Sequence, residues 1–371
     1  MVDTSLHAQP NDKPVVLMTG ASGLIGSRLA AAIAPFYRVV GLDLKPPEED
    51  VGLEFVESDM TRDASVERAL DRVRERCGER IASVVHLAAY YDFSGEPSPL
   101  YDELTVKGTA RPLRGLQSFQ VEQFVFSSSL LVMQPTEPGQ PLTERSPTEG
   151  TWEYPRSKLD AEAVIRRERG PIPAVILRIA GVYDQDCHSL PLSQHIARVY
   201  EKKLESYLFP GDSEHGQALV HLDDLIDSFQ RVIDLRMQLP PDETFLIAEP
   251  DVVSYGELQD LIGEALHGSE WPTIRVPKAV AKAGAWVKEK LAGEQSTQFI
   301  KPWMIDFADA HYEVDITHAR TTLGWEPQHR LRLTLSEMIR RLKADPAGWY
   351  ERNGLEAPEH VKDRKAGAAR A

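Results

Sequence analysis

The chain is poor in cysteine. Cys77 and Cys187 are its only two; they form no Cys-x-x-Cys pair and no disulfide framework, which fits a reducing compartment. It has no apolar run near the ~18 residues that a membrane-spanning helix needs. It has no excess of positive charge. A net charge of −15 runs against nucleic-acid binding, which needs a basic face to displace counterions. Its histidines do not fall at ligand spacing: His188 and His195 are seven apart, His215 and His221 six apart, so no metal site is expected. Met1 to Lys13 is polar and carries no apolar stretch of the kind that opens a secreted chain. A cytoplasmic protein with a small-molecule substrate, no nucleic-acid partner and no membrane span is expected.

What the chain does have is size and pattern. Its 371 residues are 42% hydrophobic and 27% charged, enough for a full α/β domain and a smaller second one. Residues 15–19, Val-Val-Leu-Met-Thr, read as a buried strand. Gly20, Gly23 and Gly26 follow, spaced three apart, and Leu24, Ile25, Leu29, Ala32 and Ile33 then form a helical stripe. A strand, a glycine turn and a helix bring unpaired backbone N–H groups and the positive end of a helix dipole to one point. That point suits a pyrophosphate. Asp43 closes the next strand, residues 37–42, 17 positions after Gly26. There a carboxylate accepts from both ribose hydroxyls and repels a 2′-phosphate, so NAD is favoured over NADP. The glycine spacing alone also fits any tight strand–helix turn, and Asp43 alone also fits a turn cap.

Strands are expected at residues 53–57, 81–87, 121–126 and 174–179. Helices are expected at 24–34, 62–77, 100–118 and 153–169. The alternation indicates a parallel sheet covered on both faces. Residues 134–151 read as a loop over the cofactor. Beyond residue 180 the alternation lapses into helices near 192–203, 223–235, 254–266, 277–291 and 333–342, with short strands near 244–248 and 273–276. Residues 1–14 are expected to be a leader, 15–180 the nucleotide domain with some later segments returning to it, 181–350 mainly a substrate lobe, and 351–371 a disordered tail.

Tyr154 and Lys158 are four apart at the start of the helix after the long loop, and so share one helix face. An ammonium nearby favours phenolate, which makes Tyr154 a candidate acid/base for a substrate oxygen. Ser127, Ser128 and Ser129 end a strand upstream, where one hydroxyl can hold the same oxygen. Tyr90, Tyr91 and Phe93 follow a small-residue turn and are candidate pocket walls.

Taken together these motifs resemble the extended short-chain dehydrogenase/reductases of the NAD-dependent epimerase/dehydratase group. The resemblance runs from about Val15 to Trp325. It includes Thr19-Gly20-x-x-Gly23-x-x-Gly26, Asp43, Asp59-Met60, His86-Leu87-Ala88-Ala89, Phe126-Ser127-Ser128-Ser129, Tyr154-x-x-x-Lys158, Val220-His221-Leu222-Asp223-Asp224 and Leu323-Gly324-Trp325. It implies a Rossmann-type doubly wound parallel sheet with a smaller C-terminal α/β substrate lobe. It implies that peptide N–H groups around Ser22, Leu24 and Ile25 cradle the pyrophosphate, that Asp43 holds the adenosine ribose, and that Asp59 and Met60 read the adenine. Leu87, Ala88 and Ala89 would line the cofactor. Ser129 and Tyr154 would bind the reacting oxygen, and Lys158 the nicotinamide ribose. Tyr91, Ser129 and Gly181 are the expected substrate contacts. Helices 100–118 and 153–169 would pair across a homodimer.

The departures from the family pattern narrow the reaction. Dehydratases of this group place a carboxylate just after the hydroxyl residue, where this chain has Leu130 and Leu131. Nucleotide-sugar members usually carry Asn at the position of Gly181 and a phosphate-binding Arg at that of Gln217. The first expectation is therefore an NAD-dependent oxidoreductase transferring hydride at a secondary alcohol or ketone. An epimerase with retained NAD is the alternative. A non-catalytic dinucleotide-binding regulator is the third, against which both Tyr154 and Lys158 stand.

Overall fold

The computed structural model describes residues 13–92, 96–292 and 301–362, with side chains in the helix at 278–292 described only as far as residue 286. Most of the expected leader, Phe93, and the last nine residues lie outside it.

Seven strands form the central sheet: β1 Val15–Thr19, β2 Arg38–Asp43, β3 Leu53–Glu57, β4 Ser83–His86, β5 Phe124–Ser129, β6 Ala174–Ile179 and β7 Asp242–Ile247. Their order is β3-β2-β1-β4-β5-β6-β7, and every pairing is parallel. This is the doubly wound arrangement anticipated from the alternation. The strands read as near-continuous apolar runs because helices cover both faces. On β1, Val16 and Met18 face one apolar layer with Leu29, Ile33, Phe229 and Val232, while Val15 and Leu17 face the other with Leu70, Val73, Leu113 and Ile165. Helices α1 (Leu24–Ile33), α2 (Asp63–Cys77), α3 (Lys107–Leu116) and α4 (Glu153–Glu168) supply most of these contacts.

The expected 100–118 helix is two segments. A wide turn of π-type, Tyr101–Val106, leads into α3. Pro112 inside α3 has no N–H to give the ladder, yet it is buried. The expected strand at 81–87 is likewise broken, with Arg80–Ile81 pairing Gln120–Val121 outside the main sheet.

Past β6 the chain builds a second layer. Helices α5 (Leu190–Tyr200), α6 (Leu222–Asp234), α7 (Tyr255–His267), α8 (Lys278–Ala292), α9 (Thr317–Leu323), α10 (Leu331–Ala344) and α11 (Pro346–Arg352) follow. Of these, α6 packs on α1, and β7 returns to the sheet edge beside β6. A separate apolar cluster, including Tyr183, Ile196, Ile262, Met338 and Trp349, joins α5, α7, α10 and α11. The loop at 134–151 is pinned to the 311–314 segment through bridges Thr136–His311 and Leu142–Val314, with Leu142 fully buried. The tail expected to be disordered from residue 351 is placed as far as residue 362. The Leu355 N–H donates to the Tyr350 carbonyl (2.9 Å), and Val361 is 2% exposed. That one apolar anchor is what a composition-based reading passes over.

Candidate active site

The strand order reverses direction between β1 and β4, and loops leaving such a switch point open a crevice at the C-terminal ends of the strands. The glycine turn leaves β1 there. Gly20 sits at φ +67°, and a Cβ on it would lie 2.8 Å from the Ala88 nitrogen. A Cβ on Gly26 would lie 2.4 Å from the Gly20 carbonyl oxygen. Both glycines are thus demanded by the fold. Gly23 is not: its Cβ would meet only the Gly20 oxygen, at an ordinary 3.5 Å, and its φ is −74°. Gly23 is exposed and caps α1 with no side-chain hydrogen bond, which leaves the first-turn N–H groups of Leu24, Ile25 and Gly26 without intrahelical acceptors. A bare backbone that packing does not require, beside open helix N–H groups, fits a dinucleotide pyrophosphate.

Ser22 is placed differently from expectation. Its N–H donates to Asp43 Oδ2 (3.0 Å) and its hydroxyl to the Lys45 carbonyl (2.6 Å). The Ser22 amide is therefore committed to tying the turn to β2. Asp43 also accepts from the Leu44 N–H (2.7 Å) and stays half-buried at the strand end. Asp59 accepts from the Thr61 N–H (2.9 Å) and hydroxyl (2.6 Å), and these bonds hold its carboxyl below the usual range. Met60 is buried in the core, and its carbonyl accepts from Arg111 (3.0 Å).

After β4, the Leu87 N–H donates to the Thr19 carbonyl (3.1 Å), and the Ala88 N–H to the Thr19 hydroxyl (3.3 Å). His86 lies beneath, its ring nitrogens 2.7 Å from the Thr19 hydroxyl and 3.0 Å from that of Thr109. Burial pushes its pKa down to about 3, so it is a neutral strut.

Ile25, Leu87, Ala89, Tyr91, Ser129, Tyr154, Lys158 and Gly181 all line one cavity of about 580 Å³. Gly20, Ser22, Gly23, Leu24, Gly26, Asp43, Asp59, Met60 and Ala88 lie outside its lining. Tyr154, in the first turn of α4, and Ser129, which ends β5, both face this cavity, and the Ser129 hydroxyl favours the ionised phenol. The Ser129 hydroxyl also accepts from the Leu131 N–H (3.2 Å), which fixes its rotamer. The Tyr91 ring stands edge-on to that of Tyr154, with centroids 5.0 Å apart. Lys158, one turn along α4, is 3% exposed and donates to the Ser127 carbonyl (2.7 Å), with its Nζ 5.0 Å from the Phe126 ring centre.

The electrostatics differ from the expected ammonium–phenolate pair. Burial lowers Lys158 from 10.5 to about 7, against the opposing pull of Glu162, and it raises Tyr154 from 10.0 to about 12, against the pull of the Ser129 hydroxyl. Desolvation is the largest influence on each group, and both are driven towards their neutral forms. Behind them lies a group that spacing did not reveal. Glu162 is wholly buried and accepts from Arg178 Nη2 (2.8 Å) and Nε (3.1 Å), and from the Ser128 hydroxyl (2.7 Å). Its position four residues after Lys158 was the one available clue.

The remaining cavity wall was also missed. Trp152, Tyr255, Tyr312 and the Trp303/Phe307 pair of one short helix converge on it from four separate segments, and no local pattern links the four. Elsewhere, His221 and His329 stack with centroids 3.8 Å apart and planes 15° apart, near Asp223. Their lone pairs lie in separate, nearly parallel planes. His221 Nδ1 accepts the Asp223 N–H (3.2 Å) as a cap on α6.

A model of the NAD dependent epimerase/dehydratase family matches residues 16–248. That span runs from β1 through the glycine turn to the end of β7 and holds Ser129, Tyr154 and Lys158. The chain belongs to this family, whose members are NAD-dependent enzymes of the extended short-chain dehydrogenase/reductase type. It is 26% identical to UDP-glucose 4-epimerase of Vibrio cholerae, over 85% of this chain and 92% of that one. It is also 26% identical to short-chain dehydrogenase/reductase family 42E member 1 of Danio rerio, over 84% of each chain. Among solved structures, UDP-glucuronic acid 4-epimerase of Bacillus cereus, in complex with UDP-glucuronic acid and NAD, superposes with a TM-score of 0.63. It is 19% identical and covers 89% of this chain and 99% of that one. No helix among the described residues is long and apolar enough to cross a membrane.

Proposed function

We propose that the chain is an NAD-dependent oxidoreductase acting at a secondary alcohol or ketone. The observation that carries this is the convergence of Ser129, Tyr154 and Lys158 on one cavity wall, with the Ser129 hydroxyl favouring the ionised form of the Tyr154 phenol. NAD, when bound, exchanges a hydride with the substrate carbon. Leu24, Ile25 and Gly26 offer N–H groups to its phosphates, and Asp43 faces its ribose hydroxyls and disfavours NADP. Ser129 holds the substrate oxygen. Tyr154 gives that oxygen its proton as a ketone is reduced, or takes the proton as an alcohol is oxidised. Lys158 orients the cofactor ribose and balances charge at the phenol. Leu130 and Leu131 line the cavity where a dehydratase needs a carboxylate, which favours plain hydride transfer over elimination. The protein is read as cytoplasmic, and as a homodimer through α3 and α4.

Tyr154→Phe tests the reading. Turnover followed by NADH absorbance should fall at least about a hundredfold, the usual contribution of a positioned acid/base, with NAD affinity unchanged. Unchanged turnover would remove Tyr154 from the chemistry. The similarity to UDP-glucose 4-epimerase favours a second reading, an epimerase with retained NAD. NAD that copurifies and is never exchanged during turnover would select it.

A further inference from the structure

We infer that the substrate is an uncharged alicyclic or aryl secondary alcohol or ketone, not a phosphate-bearing sugar. This rests on the oxidoreductase reading and adds what the site is built to hold. The wall beyond Tyr154 is made of Trp152, Trp303, Phe307, Tyr255, Leu131 and Leu192. The Trp152 and Trp303 rings lie 5.2 Å apart, and Trp303 and Phe307 6.3 Å apart at 65°. Such panels offer faces and edges to a flat ring scaffold. Among the described residues the lining contains no Asp, Glu or Arg, and one Lys. That lysine, Lys158, sits beside Tyr154, where one of its N–H groups goes to the Ser127 carbonyl and the proposed reaction uses the rest.

The uncapped N-terminus of α5, at Ser189–Leu192, gives the lining helix N–H groups, but the other polar side chains do not add a cation. His188 is paired with Asp184 (2.7 Å), so any charge it carries is already balanced. His195 is hydrogen-bonded to Gln259, and burial pushes its pKa down to about 4. Gln217 is neutral. Arg198, one turn beyond His195 on α5, is outside the lining. The undescribed internal stretches 93–95 and 293–300 contain no Lys or Arg, and the undescribed residues 363–371 contain Arg364, Lys365 and Arg370. A nucleoside diphosphate brings two charges that this wall meets with the N–H groups of one helix end and no cationic side chain beside them, and a charge so weakly balanced in an apolar site is disfavoured. An uncharged ring system meets no such penalty, and each buried CH₂ strengthens its binding about fourfold.

The test uses NAD-loaded Tyr154→Phe chain, which holds ligand without turning it over, and the unsubstituted chain beside it. Trp152 and Trp303 report occupancy by fluorescence, and calorimetry repeats the titration. The ligands are cyclohexanone, trans-2-decalone and UDP-glucose. Decalone should bind at least about tenfold more tightly than cyclohexanone, and UDP-glucose should give no saturable change. Affinity that does not grow with apolar size, absence of binding by both ketones, or UDP-glucose saturating below decalone would each overturn the proposal. Decalone that binds but is never reduced by the native chain with NADH would instead count against the oxidoreductase reading and leave the ligand class standing.

Discussion

Lys158 should make this protein less stable than it would be without it. The side chain is 3% exposed, and burial takes its pKa from 10.5 to about 7. At roughly 1.4 kcal/mol for each tenfold change in proton affinity, that corresponds to about 5 kcal/mol against the charged form. Lys158→Met keeps the length and apolar stem. It removes the hydrogen bond to the Ser127 carbonyl, worth about 1–3 kcal/mol with a charged donor. The variant should therefore be more stable by about 2–4 kcal/mol at pH 6. The sign with pH follows from linkage. At and below about pH 7 both folded and unfolded chains carry the ammonium, and the burial cost is complete. Between about 7 and 10.5 the folded chain sheds the proton while the unfolded chain keeps it, so native stability gains relative to the variant. Above 10.5 the advantage of Met is gone. Urea unfolding of NAD-free protein at pH 6, 8 and 10, with native and variant compared at each pH, measures the gap. A gap of constant size, or a variant less stable at pH 6, would show that this ammonium is not desolvated as described.

Three further outcomes follow from the same geometry. Gly23→Ala should fold with native stability, because its Cβ meets only a carbonyl oxygen at 3.5 Å, yet bind NAD about tenfold or more weakly in a calorimetric titration. Gly26→Ala, whose Cβ falls 2.4 Å from the Gly20 oxygen, should lose stability before any question of binding arises. Glu162→Gln leaves the buried Arg178 guanidinium without its counter-charge and should cost about 3–5 kcal/mol, seen as a lowered unfolding midpoint. It should also drive the Lys158 pKa further down, since the Glu162 carboxylate is what holds it up.

The parts of this fold that were legible in sequence are the parts that short segments define. The glycine turn, Asp43 at the end of β2 and the Tyr154/Lys158 spacing each need fewer than about ten neighbouring residues to be read. The order of the sheet followed from strand–helix alternation, because right-handed crossovers leave few alternatives. The missed features belong to long-range contacts. The Val361 anchor and the aromatic cavity wall depend on residues far apart in the chain. Ser22 was misjudged for a related reason: its amide looked free until Asp43, twenty-one residues on, was seen to accept from it.

The sharpest difference lies in the electrostatics of the reacting pair, and it bears on direction. A lysine four residues from a tyrosine reads as an activator when both are imagined in water. Buried together, the phenol at about 12 and the amine at about 7 favour the state with the proton on Tyr154. Removing it at pH 7 costs about 7 kcal/mol, whereas giving it to an oxygen that is gaining negative charge requires no prior ionisation. Within the proposed reaction, Tyr154 therefore starts with the proton that reduction of a ketone calls for. Oxidation of an alcohol needs added positive charge near the phenol before Tyr154 can act as a base. A pH profile of the two directions separates them: reduction should stay active to well above pH 7, and oxidation should rise with pH as Tyr154 loses its proton. Profiles of the same shape in both directions would mean that the substrate oxygen exchanges its proton with some other group.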